Sequence, residues 1–153
     1  MNAACVTTRR ALHADLDSLV PLFDGYRMFY GQPSQPIVCR DFLHARISRN
    51  ESVIHLAFCD RTTIGFSQLY PSFSSVRARP MWWLNDLYVD PLARGSGAGR
   101  ALLDSAAQHA RMTGAAGLML ETGADNAHAQ GLYERHGYAR VDPASHFYWL
   151  DLE

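Results

Sequence analysis

The stretch Arg94-Gly95-Ser96-Gly97-Ala98-Gly99-Arg100 decides how this chain is read. It follows a strand-like run over residues 81–89 and opens a helix-like one over 100–113. Three glycines in five positions leave the backbone bare at a helix start. Exposed N–H groups and the positive end of the helix dipole then converge on one spot, a ready site for a diphosphate. A P-loop is excluded, because no Lys-Ser/Thr follows the last glycine. A dinucleotide fingerprint starting at Gly95 needs a glycine in its sixth place, where Arg100 stands. Glu121 lies where the ribose-binding acid of a Rossmann fold would, but the hairpin and helices ahead of the run fit that fold poorly. Taken alone, the run also fits a flexible helix start without a ligand.

Periodicity organises the chain on either side. Residues 7–11 form a short first strand. Leu16, Leu19, Val20 and Phe23 recur at helical spacing and predict a helix over 15–30, with Asp15 and Asp17 suited to its N-terminus. Gly31-Gln32-Pro33-Ser34-Gln35-Pro36 is a loop, and residues 37–49 a second helix carrying Phe42, Leu43 and Ile47. The apolar run 53–59 and the run 63–70 flank a turn and predict a hairpin. Residues 71–80, with their serines and arginines, are expected to be a loop. Beyond the glycine run, Leu102, Leu103, Ala106, Ala107 and Ala110 form one helix face. A strand over 118–122, a helix over 126–136 capped by Gly137 and a closing strand over 147–152 complete an α+β order with a mixed sheet. No repeat or linker interrupts it, so residues 1–153 are expected to be a single domain.

Composition narrows the function classes. With 14 Lys and Arg against 15 Asp and Glu, nothing favours nucleic acid or an anionic membrane as a partner. Cys5, Cys39 and Cys59 are odd in number and widely spaced, which argues against a disulfide framework. No apolar stretch approaches the roughly 18 residues of a membrane span, and no signal-peptide pattern follows Arg9 and Arg10. A cytoplasmic setting is the expectation. The seven histidines show no HxxxH pair and no Cys partner at ligand spacing, so no metal site is expected.

A second block lies downstream: Asn126-x-x-Ala129-x-x-Leu132-Tyr133-x-x-x-Gly137-Tyr138. The two blocks together resemble the GNAT family of N-acetyltransferases, whose signature is Gln/Arg-x-x-Gly-x-Gly/Ala at a strand-to-helix junction. Arg94, Gly97 and Gly99 fill its fixed positions. The resemblance is strong over residues 81–140 and rests on element order elsewhere. It implies a GNAT fold: a mixed, mostly antiparallel sheet flanked by helices, splayed between the strand before the glycine run and the next. It also implies acetyl-CoA as cofactor, its diphosphate held by the amides of Gly95, Ser96, Gly97, Ala98, Gly99 and Arg100. Leu87, Tyr88 and Val89 would pair their backbone with the pantetheine arm. Asn126 would meet the pantetheine or acetyl region, Ala129 would pack close to CoA, and Tyr133 would sit near the thiol as the general acid. An isolated Tyr on an amphipathic helix would instead be read as core. Relatives are often homodimers, which makes a homodimer an expectation.

The base is less defined by the resemblance. An alkyl amine, with a pKa of about 10.4, must lose a proton before it attacks a thioester. The usual histone-acetyltransferase glutamate position falls at Trp83. Diamine and polyamine acetyltransferases read Leu-Glu-Asp where this chain reads Leu84-Asn85-Asp86. Asp86, Glu121 or a water chain remain for the role, and Asp86 fits a structural acceptor equally well. Strict alternation puts Trp83, Asn85, Leu87 and Val89 on one strand face and Trp82, Leu84, Asp86 and Tyr88 on the other, so only a bulge would bring Asn85 and Asp86 to one pocket. Tyr26, Tyr30, Trp83, Asn85 and Asp86 are the candidate acceptor contacts, with Tyr148 and Asp24 nearby candidates. Arg77 and Arg79 are either solvated or turned to CoA phosphates or an acidic acceptor. The motif context looks most like the small-amine branch. A protein N-terminus or lysine is the second choice, and a CoA-binding module with little turnover the alternative of another class.

Overall fold

Among the described residues, five strands form one sheet in the order β1-β2-β3-β4-β5. The computed structural model describes residues 6–141, 148 and 150–152. The described chain divides into two compact units, one ending at Glu121 and the other starting at Thr122.

In the first unit, β1 (Val6–Arg10), β2 (Val53–Cys59), β3 (Thr62–Ser74) and β4 (Arg79–Val89) pair antiparallel, and β5 (Leu118–Met119) joins β4 in parallel. The fold is therefore α+β with a mixed, mostly antiparallel sheet. β2 is central. Its first five residues are all buried, which is why it reads as an unbroken apolar run rather than an alternating one.

Helices cover both faces. On one side, α1 (Leu16–Phe29) and α2 (Pro36–Ser48) bury Leu19, Val20, Phe23, Cys39 and Leu43 against Leu56 and Phe66 of the sheet. Phe23 stacks on Phe42 at 5.6 Å and meets Phe66 edge-on at 5.9 Å. Each fully buried Leu here contributes about 1.5–3 kcal/mol. Arg9 at the end of β1 grips both carboxylate oxygens of Asp15, at 2.7 and 2.8 Å, and so sets the start of α1. On the other side, α3 (Ala98–Met112) buries Leu102, Leu103, Ala106 and Ala110. Ala98 and Leu102 pack with Ala57 and Ile64, and Leu87 and Val89 of β4 lie against that cluster.

Two sequence expectations are corrected. The loop expected over 71–80 is mostly sheet: β3 and β4 pair through Pro71↔Trp82, Ser72↔Met81, Phe73↔Pro80 and Ser74↔Arg79, leaving residues 75–78 as the turn. Its serines and prolines masked a two-stranded ribbon. The strand expected over 118–122 is only Leu118–Met119. Arg79, read as solvated or turned to CoA phosphates or an acidic acceptor, is exposed and also donates to the carbonyls of Gly114 and Ala115 just beyond α3, at 3.0 and 3.2 Å.

The second unit contains α4 (Ala127–His136). The Asn126 side chain accepts from Ala129 N–H at 3.2 Å and caps its start, and Gly137 ends it. The expected closing strand over 147–152 falls partly outside the described residues.

Candidate active site

The glycine run sits between β4 and α3. Asp90 caps a short 3-10 turn by accepting from Leu92 N–H at 2.8 Å. Arg94 is extended, and Gly95 and Gly97 then take φ of +80° and +91°. Those left-handed steps turn the chain into α3 and are strained for any residue with a Cβ. No atom lies within 4 Å of where a Cβ would stand at either glycine, so the space in front of the loop is open. Ser96 Oγ accepts from Ala98 N–H at 3.3 Å. A helix leaves its other leading donors without intrahelical acceptors, and those of α3 open on this space.

β4 presents a second feature. Its ladder with β5 covers only Trp82↔Leu118 and Trp83↔Met119. Within this unit, residues 84–89 have a strand partner only in β3. The two strands thus part after Trp83, leaving an edge along which an extended molecule can lie.

A bulge in β4 shapes the third feature. Gln68 pairs with Asp86 and Leu69 with Leu84, so Asn85 has no partner on β3. The bulge breaks the expected alternation. Trp82 turns to α3, its Nε1 donating to Thr113 Oγ1 at 2.9 Å and its ring 4.8 Å from His109. Asp86 and Tyr88 turn to α1, where the Tyr88 ring lies 6.4 Å from Tyr26. Trp82, Leu84, Asp86 and Tyr88 therefore do not share one face.

Asp86 is 2 % exposed and bound on both oxygens. Gln68 Nε2 donates to Oδ2 at 2.5 Å and Asn85 Nδ2 to Oδ1 at 2.8 Å. The Tyr26 hydroxyl donates to Asn85 O at 3.3 Å and lies near enough to the carboxyl to act on its pKa. Burial raises the Asp86 pKa above the usual carboxylate value, and the donors from Gln68, Asn85 and Tyr26 only partly offset it. Among the described residues, no cation figures among the groups that shift it. Burial and then the Asp86 charge raise the pKa of Tyr26, of Tyr70 and of the more exposed Tyr30. Tyr30 lies edge-on to Tyr26 at 5.1 Å. Trp83 is the cross-strand partner of Tyr70. The structure therefore gathers Tyr26, Tyr30, Asn85 and Asp86. Asp24 is not part of this group. It is buried and holds the α1–α2 connection, accepting from Ser34 Oγ at 2.6 Å and Gln35 N–H at 2.8 Å, and these two bonds hold its pKa below the usual range.

Sequence reasoning missed Tyr70, Gln68 and Ser52. Gln68 is fully buried, and Ser52 Oγ donates to its Oε1 at 2.8 Å. A lone glutamine inside an apolar strand is the only signal that pointed there. In the second unit, Tyr133 lies on α4 with its ring 5.9 Å from Tyr138. Burial, then Tyr133, push the Tyr138 pKa up to about 12. Tyr148 is exposed.

Comparison with known proteins defines the class. The model of the Acetyltransferase (GNAT) family matches residues 17–138. An uncharacterized N-acetyltransferase, YhfO, of Bacillus subtilis (strain 168) is 45 % identical over 130 residues, covering 85 % of this chain and 87 % of that protein. A "probable acetyltransferase" of Haemophilus influenzae is 30 % identical over 139 residues, covering 90 % and 92 %. The crystal structure of a "probable acetyltransferase" superposes with a TM-score of 0.89 at 43 % identity, covering 96 % of this chain and 98 % of its own. The chain belongs to the GNAT family of acetyltransferases.

The family uses acetyl-CoA, and the residues present fit it. The open space before Gly95 and Gly97 admits a diphosphate to the backbone, and the β4 edge beyond Trp83 admits an extended arm.

Proposed function

We propose that this protein transfers the acetyl group of acetyl-CoA to a primary amine by direct attack in a ternary complex, and that the acceptor is a small amine or polyamine. The observation that carries this reading is Asp86: a buried carboxyl with two amide donors, ringed by Tyr26, Tyr30 and Tyr70 and, among the described residues, shifted by no cation. An acid beneath aromatic faces suits an ammonium group. The Leu84-Asn85-Asp86 stretch, with its resemblance to the diamine branch, supports the small-amine acceptor.

The amides of residues 95–100 hold the diphosphate, and the backbone of Leu87, Tyr88 and Val89 lines the pantetheine. Bound acetyl-CoA supplies the acetyl group as a thioester, so the acceptor nitrogen gains a C–N bond as the C–S bond breaks. Backbone N–H groups near residues 87–89 stabilise charge on the carbonyl oxygen. Asp86 is nearly inaccessible, so the amine's proton reaches it through the half-buried Tyr26 hydroxyl, which turns from Asn85 O to the carboxyl to deliver it. By the family resemblance Tyr133 returns a proton to the departing sulfur. A phenol near pKa 10 is matched to a thiolate whose acid has a pKa of about 8.5.

The test is CoA release, read as free thiol, across polyamines, amino acids, aminoglycosides and a lysine peptide. Saturable release with the small amines supports the reading. Saturation with the lysine peptide alone moves the acceptor to protein. Silence throughout, with CoA still raising the melting temperature, overturns turnover and leaves a CoA-binding module.

A further inference from the structure

We infer that Gln68, locked by Ser52, is a positioning residue that keeps Asp86 ionised and aimed for proton transfer. The inference rests on the reading of Asp86 as proton acceptor. Its physical basis is a chain of two bonds inside the sheet's α1 face: Ser52 Oγ to Gln68 Oε1 at 2.8 Å, and Gln68 Nε2 to Asp86 Oδ2. All three side chains are buried, at 6 %, 0 % and 2 % exposure, so water does not substitute for a lost partner.

A glutamine amide has one donor end and one acceptor end, and the chain couples its orientation to the carboxyl's charge. When Asp86 is ionised, Nε2–H must face it, because Oε1 would set two acceptors against each other. Oε1 then faces Ser52, whose hydroxyl donates. When Asp86 is protonated, either orientation can be satisfied, since Ser52 also accepts. The observed arrangement, with Ser52 donating to Oε1 and Nε2–H facing Asp86, is the one the ionised acid requires, and in it Ser52 fills the amide's acceptor end. Asn85 holds the other oxygen but is exposed, and it follows the bulge rather than the core. Gln68 is the donor that cannot swing away.

The remaining titratable groups facing this carboxyl do not supply its charge balance. They are Tyr26 and Tyr30 of α1 and Tyr70 of β3. Arg46 of α2 acts on Tyr70, and Glu121 on Tyr30. All three tyrosines are neutral at the pH of the reaction, which leaves the amides to stabilise the anion.

The experiment follows the Asp86 carboxyl directly, by 13C NMR titration, its signal assigned by its loss in Asp86→Asn. It uses the wild type, Gln68→Met and Ser52→Ala, with the acid limb of kcat/KM measured in parallel. Gln68→Met keeps side-chain volume and removes a hydrogen bond to a charged group, so the Asp86 midpoint is expected to rise by about 1–2 pH units. The acid limb should move with it, while acetyl-CoA affinity stays constant. Ser52→Ala should shift both the same way by less, and it serves alone if Gln68→Met does not fold. An unmoved midpoint overturns the inference, as does a midpoint that moves while the acid limb stays. An Asp86→Asn enzyme as fast as wild type would instead remove the underlying reading of Asp86, which separates the two failures.

Discussion

His55 on β2 and His109 on α3 place their ring centroids 6.0 Å apart, on the sheet face opposite Asp86. His55 Nδ1, His109 Nε2 and the hydroxyl of Ser67, the cross-strand partner of His55, are all buried without a hydrogen-bond partner among the described residues. Burial first, then His109 and Arg10, lower the His55 pKa to about 4, and burial also lowers that of His109. The folded state therefore prefers neutral rings. The unfolded chain takes up protons from about pH 6.5 downward, so this contribution is complete above that pH and fades as pH falls to about 4. For His55 it amounts to roughly 3 kcal/mol. Melting curves between pH 7.5 and 4 should fall steeply in the wild type and less in His55→Gln. Equal slopes would refute the assignment.

Tyr133→Phe removes one hydroxyl from α4. If that hydroxyl protonates the leaving sulfur, kcat should fall about 10- to 1000-fold with little change in CoA affinity. Steady-state kinetics together with calorimetric CoA titration separate the two quantities, and an unchanged kcat would dismiss the acid assignment.

Asp86→Asn should trade stability for rate. The folded-state pKa of Asp86 is raised, so above the ordinary carboxylate pKa the charge opposes folding, and the cost is absent only at lower pH. Removing the charge should raise the melting temperature at pH 7 by about 2–4 °C for each kcal/mol gained. The same variant should lose most of its kcat. A lower melting temperature in Asp86→Asn would contradict the claim that burial dominates this carboxyl.

Gly97→Ala should weaken cofactor binding through backbone strain, since open space rules out a clash. The φ of +91° costs an L-residue on the order of 1–2 kcal/mol. Gly114→Ala is the control, because its φ is +68°, its surroundings are also open and it lies at the far end of α3. Both variants should melt earlier, but only Gly97→Ala should bind acetyl-CoA more weakly. Equal affinity in the two would place the diphosphate elsewhere.

The legibility of the chain follows the range over which each feature is encoded. The glycine run, the α3 face and the cap at Gly137 depend on neighbours a few residues apart, and all were readable. The bulge was not, because it belongs to the pairing of two strands. Asn85 loses its partner only once Gln68 meets Asp86 and Leu69 meets Leu84. The same cause hid the ribbon past Tyr70, where serines and prolines carry a register that only the opposite strand reveals. The candidate site divides in the same way. Asp86 and Tyr26 were singled out from motif context, whereas Gln68 and Ser52, eighteen and more residues away in the chain, became visible only through their hydrogen bonds.

The parting of β4 from β5 after Trp83 has a consequence beyond catalysis. A bare strand edge is a template on which another chain can add itself, and natural proteins guard such edges. In the binding mode proposed above, the cofactor's own extended arm would guard residues 84–89. The cofactor-free protein is then expected to aggregate faster than its acetyl-CoA complex, through the very groove that would serve its chemistry.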